Sequence, residues 1–377
     1  MRNMTRQTFA AQAGGHIDSA TGAVVPPIHV ATTFEREADT TYAHGLIYSR
    51  DGHPSAMQCE AVISELEGGA ETRVFASGLA AATTLFQAIE RPCHVIAPQV
   101  MYWSLRNWLK NEAPSYGIDV TFVDTTNTGA ISDAVQAGRT KLIWLETPSN
   151  PTWSISDIAK TAEIAERAGA ALAVDSTAAS PVCSNPLALG ADVVMHSATK
   201  YLNGHSDVLA GSLTFAKADA LFEHSASLRT SQGAMLGPFE CALLLRGMRT
   251  VYVRVAQQCT NAMAIAERFA GDKRVAAVHY PGLPQSQGHD IARAQMPGGF
   301  GGMLSIRCSG GRAHAIETAA KLEIWKRATS LGGVESLVEH RASIEGPGTP
   351  CPDDLLRLST GIESADDLIA DLDTALG

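Results

Sequence analysis

The sequence predicts an α/β fold in which a mostly parallel sheet is sandwiched between helices in three layers, with a smaller α+β domain at its C-terminal end and an extended N-terminal arm. Three observations predict it. Short apolar runs alternate with helix-like segments from Arg73 to Phe215, the pattern changes to long helical periodicity beyond Phe239, and the first 45 residues are rich in Gly, Pro and Thr with no sustained period. Alternation of this kind argues for strand–helix–strand units and parallel pairing. The expected divisions are 1–45 for the arm, 46–238 for the large domain and 239–377 for the small domain.

The totals bound the chemistry. A chain of 377 residues suits about two domains rather than one core. Its net charge of −10, with no dense basic run, argues against a nucleic-acid partner. The seven cysteines (Cys59, Cys93, Cys183, Cys241, Cys259, Cys308, Cys351) show no Cys-x-x-Cys spacing and read as reduced thiols of a cytoplasmic protein. The twelve histidines show no ligand-like spacing, so no metal site is expected. No run has the length of a membrane span or follows the basic N-terminus as a signal peptide would.

In chain order, Tyr48-Ser49-Arg50 ends the arm. Residues i and i+2 of an extended chain face the same way, so Tyr48 and Arg50 could meet one phosphate; an exposed turn is the other reading. A helix is expected over Ala56–Leu66, closing at Gly68-Gly69. Arg73–Ala76 then leads into Ser77-Gly78-Leu79 and a helical run to Ile89. A strand stub, a glycine and a helix start form a phosphate cradle, because free N–H groups and the positive end of the helix dipole converge there.

Strand-like runs follow at Cys93–Ala97, Val120–Val123, Leu142–Leu145, Ala171–Val174, Val193–Met195 and Leu209–Phe215, with helix-like segments such as Leu105–Lys110 and Ser156–Ala168 between them. In open sheets of this type ligands sit outside the carboxyl ends of the strands. The polar residues there are Glu146-Thr147-Pro148-Ser149-Asn150-Pro151, Asp175-Ser176-Thr177 and His196-Ser197-Ala198-Thr199-Lys200. In the last stretch two hydroxyls flank one position and a lysine follows, which can hold a phosphate and present an amine beside it. Pyridoxal phosphate (PLP) on Lys200 is the candidate. No Gly-x-Gly-x-x-Gly or Walker loop follows any strand, which removes the main support for a nicotinamide-dependent enzyme. Beyond Phe239 a single long helix is expected over Glu240–Phe269, then strands at Met303–Cys308 and Leu356–Ser359 and a closing helix over Leu368–Leu376.

With these segments laid out, the chain resembles the Cys/Met-metabolism family of PLP-dependent enzymes, the cystathionine γ-synthase and γ-lyase group. The resemblance rests on Gly22–Ile28, Glu65–Gly69, Phe75–Ala81, Glu146–Pro151, the Lys200 stretch, Leu243–Gly247, Ser330–Leu337 and Arg357–Glu363, in order along nearly the whole chain. It implies an aspartate-aminotransferase-like, fold type I architecture. It also implies that Lys200 carries the cofactor and then moves protons. By the same resemblance Asp175, with Thr177 beside it, pairs with the pyridine nitrogen. Ser77, Gly78, Leu79, Ser197 and Thr199 hold the phosphate, joined by Tyr48 and Arg50 of a neighbouring subunit. Tyr102 stacks on the ring and takes part in catalysis. Asn150 touches the ring hydroxyl or the substrate, Arg357 and Ser330 hold the substrate carboxylate, and Tyr48 also reaches the substrate. A homotetramer, a dimer of dimers with shared active sites, is implied.

The chain also departs from the family pattern. Tyr102-Trp103-Ser104-Leu105 replaces Tyr-Gly-Gly-Thr, which predicts a narrower, more aromatic entrance. Thr329 stands where enzymes handling cystathionine often carry an acid, His53 replaces a common Asn, and Arg341–Gly348 is short. The function expected is γ-elimination or γ-replacement on a sulfur- or oxygen-substituted amino acid. The alternatives are β-elimination of a cystathionine-like substrate and, in another class, a non-catalytic binding protein, against which intact Lys200, Asp175 and Arg357 argue.

Overall fold

The computed structural model describes residues 4–346 and 348–377, so the first three residues of the arm and Pro347 of the short loop lie outside the described residues. The larger sheet holds β1 (Glu71–Phe75), β2 (Cys93–Pro98), β3 (Ile118–Val123), β4 (Thr140–Glu146), β5 (Ala171–Asp175), β6 (Val193–His196) and β7 (Gly211–Phe215). Their spatial order is β1-β7-β6-β5-β4-β2-β3. The pairs β6/β5, β5/β4, β4/β2 and β2/β3 are parallel, and β7 runs antiparallel to both β6 and β1.

Both faces of this sheet are covered, which is why β2, β6 and β7 are buried along their whole length and read as continuous apolar runs. Side chains alternate between two cores. Val95, Leu142 and Trp144 pack with Leu85 and Phe86 of the helix Gly78–Ala88 on one face, while Ile96, Ile143 and Leu172 pack with Ile164 on the other. The alternation leaves Glu146, Asp175 and His196 at the carboxyl ends of three adjacent strands.

The smaller sheet, ordered β10-β11-β12-β9-β8, uses β8 (Val275–His279), β9 (Met303–Cys308), β10 (Lys326–Arg327), β11 (Leu337–His340) and β12 (Leu355–Ser359). All its pairs are antiparallel except β10/β11. Leu304, Ile306, Leu356 and Leu358 from one face pack on Phe269, Trp325 and Leu372.

The single helix expected over Glu240–Phe269 is two helices, Pro238–Met248 and Val251–Phe269, broken at Arg249-Thr250. The first packs with the helix Pro54–Glu67, where Cys59 Sγ donates to the Cys241 carbonyl at 2.9 Å. Gly247 touches the backbone of Asn203 so closely that a Cβ there would lie 2.2 Å from its carbonyl oxygen. Arg254 of the second helix then ties the break to that backbone, donating to the carbonyls of Gly247 at 2.8 Å and Tyr201 at 2.9 Å. An apolar stripe continues through both helices because each buries the same side of the chain, so periodicity alone does not reveal the bend.

The arm carries a short α-helix, Arg6–Ala11, capped by Thr5, and a 3-10 turn at Ala13–Gly15, where the composition predicts only extended chain. From His16 to His53 it forms no helix and no extended strand, and it exposes Ile17, Val24, Val25, Val30 and Ile47. Among the described residues, no helix is long and apolar enough to cross a membrane.

Candidate active site

The turn after β1 places Ser77 as the N-cap of the helix Gly78–Ala88, its hydroxyl accepting from Ala80 N at 3.1 Å. The first N–H groups of a helix have no partner inside it, so those of Gly78 and Leu79 are left for an anion. Glycine is required there, because a Cβ on Gly78 would lie 2.8 Å from the Ser197 Cβ and 2.9 Å from its Cα. Ser197 N in turn donates to Thr177 Oγ1 at 2.8 Å, and Thr199 exchanges hydrogen bonds with the backbone of Ala210.

The Lys200 amine ends 2.6 Å from Ser330 Oγ, to which it donates. Burial, then the nearby Arg357 guanidinium, lowers its pKa from 10.5 to about 8, against the pull of Glu339. An amine in that range is neutral in about a tenth of molecules at pH 7, against far fewer for an ordinary lysine, and can then take a proton. Asp175 is buried at the end of β5, and its Oδ1 accepts from Thr177 N at 3.0 Å. Burial raises its carboxyl, while the Thr177 hydrogen bonds oppose the rise.

Glu146, quoted in the sequence only as part of a motif, organises the wall between these groups. Its Oε2 accepts from Tyr102 N at 2.7 Å and its Oε1 from Asn150 N at 2.8 Å, so one carboxyl fixes the backbone of both residues. Burial and the neighbouring Asp175 push its pKa up to about 8. Arg357 donates through Nη1 to Asn150 Oδ1 at 3.3 Å, and through Nη2 to the Ser330 carbonyl at 2.8 Å and to Glu339 Oε2 at 2.7 Å. Burial lowers its pKa to about 10, and Glu339 works against that shift. Sequence reasoning missed Glu339, whose only signal was an acid directly after the apolar pair Leu337-Val338.

A cavity of about 160 Å³ opens between these elements. Ser77, Gly78, Leu79, Ser197 and Thr199 line one part of it, and Tyr102, Asn150, Asp175, Thr177 and Lys200 line the rest. Ser330 and Arg357 join through the hydrogen bonds just given. Tyr48 and Arg50 do not line it; both are exposed, with the guanidinium 5.5 Å from the Tyr48 ring centroid.

The entrance expected from Trp103 is not built that way. Trp103 opens the helix Trp103–Asn111 and turns its indole to Arg106, 5.5 Å from the ring centroid, so it does not line the cavity. His53 is buried as the N-cap of the helix Pro54–Glu67, its ring accepting from Ala56 N at 3.2 Å and meeting the Leu236 carbonyl at 3.0 Å. Thr329 is exposed beside Ser330 on an adjoining groove that shares Thr199 and Leu209 with the cavity.

The donor set fits PLP. A glycine-dependent cradle of N–H groups and hydroxyls suits its phosphate, a buried carboxyl suits the ring nitrogen, an aromatic ring suits its face, and an amine of lowered pKa suits its aldehyde. A family profile described as Cys/Met metabolism PLP-dependent enzyme matches residues 7–377. The chain is 43% identical over 376 residues to a cystathionine γ-synthase of Mycobacterium tuberculosis, covering 98% of this chain and 96% of that one. It is 37% identical over 378 residues to a cystathionine β-lyase of Coxiella burnetii, covering 98% and 97%. The crystal structure of a cystathionine γ-synthase from Xanthomonas oryzae pv. oryzae in complex with cystathionine superposes with a TM-score of 0.94, at 36% identity and 99% and 98% coverage. The chain belongs to the Cys/Met metabolism family of PLP-dependent enzymes.

Proposed function

We propose that the protein catalyses γ-elimination or γ-replacement on an amino acid whose γ-carbon bears a sulfur or oxygen substituent, of the cystathionine, methionine or O-substituted homoserine type. The observation that carries this reading is that Ser330 fixes both partners of the reaction. Its hydroxyl accepts from the Lys200 amine, and its carbonyl accepts from Arg357. A substrate held by its carboxylate on Arg357 thus presents its α-carbon to the base. The higher identity to a γ-synthase than to a β-lyase favours the γ-carbon as the site of departure.

Bound PLP supplies the electron sink that makes the substrate's α-proton acidic. Ser77, Gly78, Leu79, Ser197 and Thr199 would hold its phosphate, Asp175 its ring nitrogen and Tyr102 its face. Tyr48 and Arg50 of a neighbouring copy would complete the site, in a homotetramer built as a dimer of dimers. Lys200 Nζ takes the α-proton, aligned by Ser330 Oγ. In γ chemistry the amine would first pass that proton on to the bound cofactor and, neutral again, would remove a proton from the β-carbon, after which the γ-substituent leaves with its bonding electron pair. Asn150, fixed through Glu146 and bonded to Arg357, lines the substrate side.

The test is product identification with a panel of sulfur- and oxygen-substituted amino acids. The γ reading expects 2-oxobutyrate or a γ-exchanged amino acid. Pyruvate as the sole keto acid would assign β-elimination instead.

A further inference from the structure

Arg357 is not the end of its own hydrogen-bond chain. Glu339 Oε2 accepts from Arg357 Nη2 at 2.7 Å and, on the same oxygen, from Arg341 Nη1 at 2.8 Å. Arg341 is held from behind by Glu345, whose Oε1 accepts from Nη2 at 2.7 Å and from Nε at 3.1 Å. Glu339, Arg341, Glu345 and Arg357 are all buried, and their charges cancel. Unpaired buried charge is expensive, so each member of such a cluster fixes the demand its neighbours place on the rest.

Three of the five Arg357 N–H groups are engaged by Asn150, the Ser330 carbonyl and Glu339. The others are what a substrate carboxylate would use. Glu339 is itself a carboxylate and competes for the same guanidinium; what limits that competition is the second guanidinium on its oxygen.

We propose that Arg341 is a positioning residue for substrate binding. By sharing Glu339 with Arg357 it keeps part of the Arg357 guanidinium open to the α-carboxylate of the incoming amino acid. The proposal rests on the reading of Arg357 as the carboxylate holder. Without Arg341, Arg357 is the one ion-pair partner left to Glu339 among the described residues, and an arriving carboxylate meets Glu339 and Glu345 with a single guanidinium beside them.

The experiment uses holoenzyme and two probes without a leaving group: L-2-aminobutyrate, and propylamine, which is the same molecule without its carboxylate. Dissociation constants come from the change in cofactor absorbance on titration. R341M is expected to weaken L-2-aminobutyrate at least tenfold and propylamine less than threefold. E339Q/R341M, which removes the competing acid's charge together with its partner, is expected to recover most of the lost affinity. Equal weakening of both probes, no weakening, or a double variant no better than R341M would each overturn the proposal. If R341M does not fold, R341K carries the same comparison, because an ammonium cannot bond both acids as the guanidinium fork does, and it should weaken L-2-aminobutyrate selectively at least threefold. R357M separates the two readings. If it leaves L-2-aminobutyrate affinity unchanged, the carboxylate role of Arg357 fails, whereas an effect in R357M with none in R341M overturns the positioning role alone.

Discussion

Ser330 holds its hydroxyl 2.6 Å from the Lys200 amine while its backbone sits at φ +82°, in the left-handed region that a side-chain-bearing residue rarely occupies. Such conformations cost about 1–3 kcal/mol and concentrate at functional sites. Alanine at 330 keeps that cost and loses the hydrogen bond. S330A is therefore expected to lower kcat roughly tenfold, the loss that corresponds to one hydrogen bond to a charged or polarised group. Steady-state kinetics on a turned-over amino acid check this, and unchanged kcat would deny Ser330 a part in aligning the amine.

The lowered Lys200 pKa sets a pH dependence with a definite sign. The neutral amine is the form that captures an aldehyde, and its fraction rises as pH rises through about 8 rather than through 10.5. Stopped-flow absorbance of ligand-free enzyme mixed with PLP should give a capture rate that climbs from pH 6.5 and levels off above about pH 9. A rate still climbing at pH 10 would mean that the amine is not held as described.

Gly78 has rigid neighbours, since its absent Cβ would meet the Cα and Cβ of Ser197 rather than the end of a flexible side chain. G78A must push the cradle apart, and overpacking of this kind costs about 1–3 kcal/mol. The expected result is a rise of roughly tenfold or more in the dissociation constant for PLP, measured by fluorescence titration. Unchanged affinity would place the phosphate elsewhere.

Trp103 faces Arg106 and not the cavity, so W103G should leave the ranking of substrates unchanged. The loss of the cation–π contact predicts a stability decrease of about 1 kcal/mol by denaturant unfolding. A reordered substrate ranking would show that the indole reaches the substrate.

The large sheet was legible because strands buried on both faces are written as continuous apolar runs, and several residues that line the cavity were legible because they follow those runs directly. Asp175 and Lys200 reach the cavity this way, as does Gly78 at the head of a helix. The bend at Arg249-Thr250 was not legible, since the apolar stripe runs through both helices and the contacts that hold the break, from Arg254 to the Tyr201 carbonyl and from Gly247 to Asn203, join residues more than 40 apart in the chain. The edge strand Val275–His279 is only partly buried and carries no clear alternation. Glu339, Arg341 and Glu345 read as solvated charges until folding pairs them. Trp103 shows the converse error: a departure in a motif says which residue changed, while packing decides where its side chain points.

The central claim is that Lys200 removes protons from both the α- and the β-carbon of a substrate anchored on Arg357. L-2-aminobutyrate cannot eliminate, so holoenzyme in deuterium oxide reveals proton removal without turnover to product. Proton NMR should show loss of both the α and the β signals with parent enzyme and of neither with K200A. Exchange at the α-carbon alone, or undiminished exchange in K200A, would contradict it.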